Sequence, residues 1–197
     1  MDIVEIYDPA ANTWTAGPRL NTVRTDPFVM VEAGRLWAVG GACNPTTPMA
    51  SVESIAPGEA AWRWEPPLPV PTRQGGGCAL DGVLYCVSTE GFFGFDTATR
   101  TWIPDLPQLE KSPMAPQVTA FAGEVWVMGG HLSKATHRYA PRERRWRPGP
   151  ALPTLQSWGA AAVLDGRLYV AGGAHWSESY QRFVFDDRAY VLRPGWG

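Results

Sequence analysis

Apolar positions fall in short runs along this chain, never at the 3.6-residue spacing of a helix. "RLWAVGG" (35–41), "VLYCVST" (83–89), "EVWVMGG" (124–130) and "RLYVAGG" (167–173) are brief apolar segments that stop at small residues. Runs this short, bounded by Gly, Pro and Asp, predict strands. Two-residue turns, Ala33-Gly34, Asp81-Gly82, Ala122-Gly123 and Asp165-Gly166, stand directly before them. Such pairs favour tight hairpins, so a preceding strand such as "SWGAAAVLD" (157–165) should fold back on each run. A variable loop and a third strand follow, as in "SVESIAP" and "YQRFVFD", and a fourth strand carries a Trp. In the last unit, "YQRFVFD" and "AYVLRPG" are the expected third and fourth strands.

The Trp belongs to a second recurring block. "YDPAANTW", "FDTATRTW" and "YAPRERRW" start at residues 7, 95 and 139, with 44 residues between the last two starts and twice that between the first two. A weaker copy, "IAPGEAAW" (55–62), fills the gap, and proline-rich exits such as "GPRL" and "PDLP" follow each Trp. A period in the forties holding four short strands indicates a propeller or solenoid.

The glycine pair closing strand two, the aromatic-Asp-Pro turn, the Trp seven residues on and the trailing Leu-Pro resemble the kelch repeat. The resemblance covers nearly the whole chain. It implies an all-β, kelch-type β-propeller of four complete four-stranded blades plus a leading half blade. The expected boundaries are 1–20 for the half blade, then about 21–67, 68–107, 108–153 and 154–197. Two departures are visible: Ser88-Thr89 replaces a glycine pair, and Leu192 stands where a Trp is expected. Trp14, Trp62, Trp102 and Trp146 should wedge between neighbouring sheets. The leading half blade lacks a complement, so a piece of a longer propeller or a partial gene product is expected, with closure by a second chain or an unusual small ring as the alternatives; an unclosed ring would expose strand edges and invite self-association.

Composition adds exclusions. A net charge of −2 argues against nucleic-acid binding by a blanket of positive charge. No run of 18 apolar residues occurs, so no membrane partner is expected. The opening "MDIVEIYDPA" lacks the blocks of a signal peptide, and a soluble, cytoplasmic protein is the expectation. Three cysteines make no disulfide framework. In the hairpin turning at Asp81-Gly82, Cys78 should face Tyr85, with Cys86 on the opposite face.

Function is sought in what does not repeat. Loops joining strands two and three, and those between blades, should share one face. That face should carry Asn44, Glu90, His131, Lys134, His175, Trp176 and Glu178, with Arg24, Arg73, Gln74 and Trp158 from the inter-blade loops. The kelch resemblance implies recognition of a protein or peptide there, or a carbohydrate, by a non-enzymatic binding module; Arg24 and Arg73 match the family's Arg-bearing loop. Trp176 and Trp158 lie off the repeated Trp position, so blade packing does not explain them. The rival reading is a sugar-processing propeller enzyme of the galactose oxidase or sialic acid mutarotase kind. The chain has three His, and His137 falls in a strand, which leaves His131, His175 and Glu178 as the one conceivable metal set. Their spacing follows no metal motif, and no metal or cofactor is expected. The Arg-rich "HRYAPRERRWRPG" (137–149) reads as charge on outer strands that blocks edge pairing.

Overall fold

The computed structural model describes residues 1–192. The strands are β1 (Glu5–Asp8), β2 (Thr13–Ala16), β3 (Phe28–Glu32), β4 (Arg35–Val39), β5 (Ala42–Asn44), β6 (Thr47–Pro48), β7 (Val52–Ile55) and β8 (Arg63–Glu65). They continue with β9 (Gly76–Leu80), β10 (Val83–Ser88), β11 (Gly91–Asp96), β12 (Thr101–Trp102), β13 (Gln117–Phe121), β14 (Glu124–Met128), β15 (Thr136–Ala140) and β16 (Arg145–Pro148). The last are β17 (Ala160–Leu164), β18 (Arg167–Ala171), β19 (Ala174–Ser177), β20 (Arg182–Phe185) and β21 (Ala189–Leu192). One 3-10 turn at Pro141–Glu143 is the helical exception, and no helix among the described residues is long and apolar enough to cross a membrane.

The pairing is antiparallel and mostly sequential. Blade I is β3-β4-β7-β8, blade II is β9 to β12, blade III is β13 to β16, and blade IV is β17-β18-β21; β1-β2 form the leading half blade. This is the expected all-β propeller architecture. The four inner turns have both central residues at positive φ, from Ala33 (51°) and Gly34 (70°) to Asp165 (48°) and Gly166 (66°). That is the type I′ geometry whose twist matches the flanking strands. Register follows: Cys78 pairs with Tyr85 and Cys86 with Gly77, on opposite faces.

One assignment is corrected. "YQRFVFD" does not form the third strand of the last blade; its residues 182–185 are β20, paired with β19 in a separate hairpin. The third strand is β21, whose Leu192 pairs with Leu168 as Ile55 pairs with Leu36, Phe95 with Leu84 and Tyr139 with Val125. Leu192 therefore sits in the aromatic slot of the repeat, not the Trp slot. The cause is an insertion: Asp186 N–H donates to the Gly173 carbonyl and Gly172 N–H to that of Arg188, so the chain returns to the glycine pair before strand three starts. Blade IV has three strands among the described residues, not four, and the tail of "AYVLRPG" lies outside them. Ser88-Thr89 also gains a reason. In blade II the chain reverses at once, Ser88 pairing with Gly91, so no glycine pair is needed.

The core lies between blades. Phe28, Met30 and Trp37 of blade I pack on Leu84, Cys86 and Phe95 of blade II. Cys78, Tyr85 and Val87 meet Val125, Val127 and Tyr139 of blade III, and Trp126 and Met128 meet Leu168 and Val170 of blade IV. The repeated Trp residues staple these joints from outside. Trp62, Trp102 and Trp146 each donate an indole N–H to a proline carbonyl on the exit of the preceding blade, Pro18 (2.8 Å), Pro66 (3.2 Å) and Pro107 (2.7 Å). Trp14 makes no such bond among the described residues and is 66% exposed.

The glycine pairs close the joints at the loop face. Gly40 and Gly41, Gly129 and Gly130, and Gly172 and Gly173 all lie at positive φ, between 60° and 106°. The second glycine's N–H bonds to the loop entering the next blade: Gly41 to the Thr72 carbonyl (3.0 Å) and Gly130 to that of Gln156 (2.8 Å). A Cβ on Gly129 would stand 2.4 Å from the Gln156 carbonyl, whereas at Gly172 the nearest atom is 3.9 Å away. Ionic ties add to this. Arg24 and Glu53 form a fully buried pair at 2.5 Å. Glu65 of blade I is held by Ser54 (2.6 Å), Arg63 (2.9 Å) and, from blade II, Arg100 (2.7 Å). The arginine-rich segment is largely neutralised on the outer strands: Arg138 and Arg147 reach Glu124, and Arg145 reaches Glu143.

Two outcomes follow. Gly129→Ala combines left-handed strain with a backbone clash and should cost about 3 kcal/mol or more, while Gly172→Ala meets strain alone, about 1–2 kcal/mol; urea midpoints of the two variants measure the gap. For Glu65, burial pushes the carboxyl up, but the hydrogen bonds from Ser54, Arg100 and Arg63 outweigh it and leave it below its ordinary 4.5. A lowered native pKa gives stability that is present above the unfolded value and fades as pH falls through the folded one. Glu65→Gln should thus be less stable than wild type at neutral pH and converge with it in acid, read from denaturation at several pH values.

Candidate functional site

The loops entering blades I, III and IV pair with the residue that follows the glycine pair of the same blade. Thr25 and Ala42 exchange two backbone hydrogen bonds, as do Ser157 and Ala174, and His131 N–H donates to Met114 (2.9 Å). These bonds put inter-blade loops and strand-two-to-three connections on one face. Two hairpins rise from it, β5–β6 on blade I and β19–β20 on blade IV.

The entering loops share a further feature: one non-glycine residue in each is left-handed, namely Asp26, Gln74, Ala115 and Trp158. Trp158 N–H donates to the Ala115 carbonyl and Ala115 N–H to that of Gln74, which links the loops from blade to blade. A tryptophan at φ 55° is uncommon, and Trp158 is also 46% exposed. Its ring packs edge-on to Phe183 of β20 at 5.3 Å. Trp176, opposite Phe183 across the hairpin, meets the same ring at 5.3 Å, and His131 of blade III lies 5.9 Å from it. Three rings from two blades thus gather around Phe183.

Of the residues expected on this face, His131, Trp158 and Trp176 are brought together. His175 neighbours Trp176 in sequence, but strand alternation turns it to the other side of β19. The Nδ1 atoms of His131 and His175 are both buried without a hydrogen-bond partner. Among the described residues, no three His, Cys, Asp or Glu side chains gather as a metal site, and Glu178 is occupied with Gln181 at the hairpin tip. Lys134 donates to the Pro153 carbonyl.

The other expected residues stand around the first hairpin or inside the fold. Arg24 is buried, bonded to Glu53, Ser51 and the Gly40 carbonyl, so its charge serves blade I. Arg73 donates to the Pro45 carbonyl at the tip of β5–β6, and the Asn44 carboxamide oxygen ties the same turn through the Thr46 and Thr47 N–H groups. Glu90 accepts from Thr72 (3.0 Å) and Thr89 (2.9 Å). Burial pushes its carboxyl up, and hydroxyls of Ser88, Thr89 and Thr72 outweigh this, so it lies below the ordinary carboxylate value. Gln74 contributes its carbonyl to the loop-to-loop link. Sequence reasoning missed Phe183 because it placed 180–186 in a blade. The signal was present: Trp176 and Phe183 flank the polar tip "SESYQR", as a hairpin's cross-strand pair would.

Antiparallel sheets packed face to face through inter-blade cores and latched by glycine pairs define a β-propeller. The chain is 32% identical to human Kelch-like protein 33 over 151 residues, which covers 68% of this chain and 28% of that protein. It is 30% identical to mouse Kelch-like protein 35 over 192 residues, covering 93% of this chain and 33% of the relative. The chain belongs to the kelch-repeat family. It spans about a third or less of the length of these curated relatives. No protein-family model matches it. The structure of YjhT superposes with a TM-score of 0.77 at 14% identity, over 91% of this chain and 72% of that one, a likeness of fold.

Thiol chemistry checks the placement of the hairpins. Cys43 is exposed on β5, whereas burial pushes the Cys78 thiol up to about 12 and raises Cys86 as well. Labelling of the native protein with a thiol reagent should modify Cys43 alone, and all three cysteines after denaturation, as read by mass.

Proposed function

We propose that this propeller is a binding module whose loop face, centred on Trp158, Trp176, Phe183 and His131, takes a protein or peptide ligand through an apolar or aromatic anchor. The observation that carries this reading is Trp158: a large apolar ring held at a left-handed position and left half in water. Strained, exposed aromatics of this kind are retained where a partner covers them. The same geometry separates anchor types. Arg24 is sealed inside blade I and Arg73 is spent on a loop carbonyl, so recognition of an acidic peptide by free arginines has little to draw on. Two tryptophans edge-on to Phe183 offer instead the large, rigid faces typical of binding hot spots.

Screening a peptide array and a glycan array against the purified chain tests the reading. Peptides with Trp, Phe, Tyr or Leu anchors should be captured in preference to glycans. Trp158→Ala with Trp176→Ala should weaken capture at least 30-fold, about 2 kcal/mol, while melting stays near that of wild type. Undiminished capture by the double variant would place the site elsewhere.

A further inference from the structure

Of the fourteen non-glycine residues at positive φ among the described residues, twelve are polar, charged or alanine. The two large apolar ones are Trp158 (φ 55°) and Leu132 (φ 57°). Both are exposed, Leu132 at 59% and Trp158 at 46%. They also flank one joint, that between blades III and IV. His131, the neighbour of Leu132, donates its N–H to the Met114 carbonyl, and Trp158 donates to that of Ala115, the next residue along. The His131 and Trp158 rings meet the same Phe183 ring. Leu132 thus stands at the edge of the aromatic cluster, in the loop between β14 and β15.

The fold alone does not account for Leu132. Gly129 N–H donates to the Ala135 carbonyl and closes the loop at its base, and Ser133 N–H donates to the Gly130 carbonyl across a four-residue turn. Leu132 is the second central residue of that turn, where a left-handed φ favours glycine. Leucine there strains the backbone, and its side chain joins none of the three inter-blade cores. Strain and exposed apolar surface persist together where contact with a ligand offsets them. We propose that Leu132 is a second anchor point of the loop face, which takes a protein segment presenting two apolar side chains, one against Trp158 and Trp176 and the other against Leu132. This rests on the binding reading above and adds to it a ligand with paired anchors.

The test measures binding of matched synthetic peptides that carry one Trp or Phe, with or without a second Leu or Ile a few residues away. Wild type should bind the two-anchor peptides about tenfold or more tightly than the one-anchor set. Leu132→Gly and Leu132→Asn, which both relieve the strain, should bind the two sets alike while still depending on Trp158. Melting of Leu132→Gly should rise by about 2–4 °C. Variants that keep a wild-type preference for paired anchors overturn the inference and leave the aromatic site standing, as does a wild type that does not distinguish the sets. A Leu132→Gly protein that melts below wild type also overturns it, because leucine would then serve the fold. Capture of neither set by wild type removes the binding reading, and this inference with it.

Discussion

The joints between blades I and II and between blades III and IV hang on a backbone hydrogen bond that only glycine permits. Where strand two ends, the chain must pass so close to the loop entering the next blade that the Gln156 carbonyl would lie 2.4 Å from a Cβ on Gly129. The chain must also turn left-handed to aim the Gly130 N–H at that carbonyl. A residue with a side chain meets both penalties at once. With the latch in place, the inner strands converge, the apolar faces of neighbouring sheets come into contact and the Trp staples reach their proline carbonyls. The same latch fixes where function can sit, because the loops it draws in are those that carry the exposed rings.

Much of this was legible in the sequence, and the limits have physical causes. Elements whose form depends on neighbours within a few residues could be read directly. Asp81-Gly82 and its counterparts dictate a type I′ turn whatever surrounds them, so the Cys78–Tyr85 register followed from the chain alone. The repeat spacing likewise revealed the Trp staples. Blade IV was misread because periodicity predicts the next strand by counting, and the β19–β20 insertion breaks the count without changing composition. "RFVF" and "AYVL" are equally good strands; which one pairs with β18 is decided by the return of Asp186 and Arg188 to the glycine pair, a contact no local pattern encodes.

The candidate site was legible to the same degree. Trp158 and Trp176 could be singled out because they stand off the repeat, and they do share a cluster. The polar residues proved harder to judge. Arg24 looks like a loop arginine in sequence, yet Glu53, 29 residues on, buries it in an ion pair. A charged residue in a loop shows its type but not its partner. Whether it serves the fold or a ligand depends on contacts distant in the chain.

The anchor rings come from two different blades. His131 belongs to blade III, while Phe183 and Trp176 belong to a hairpin on blade IV, which meets blade III through an apolar core. In a quasi-one-dimensional stack, stability is close to a sum of nearest-neighbour terms. A ligand that touches both His131 and the hairpin would add a second tie across that joint, so occupancy of the loop face and order in blade IV would be thermodynamically linked. Protection of the β17 and β18 amides from solvent exchange would then report on the ligand from the far side of the sheet.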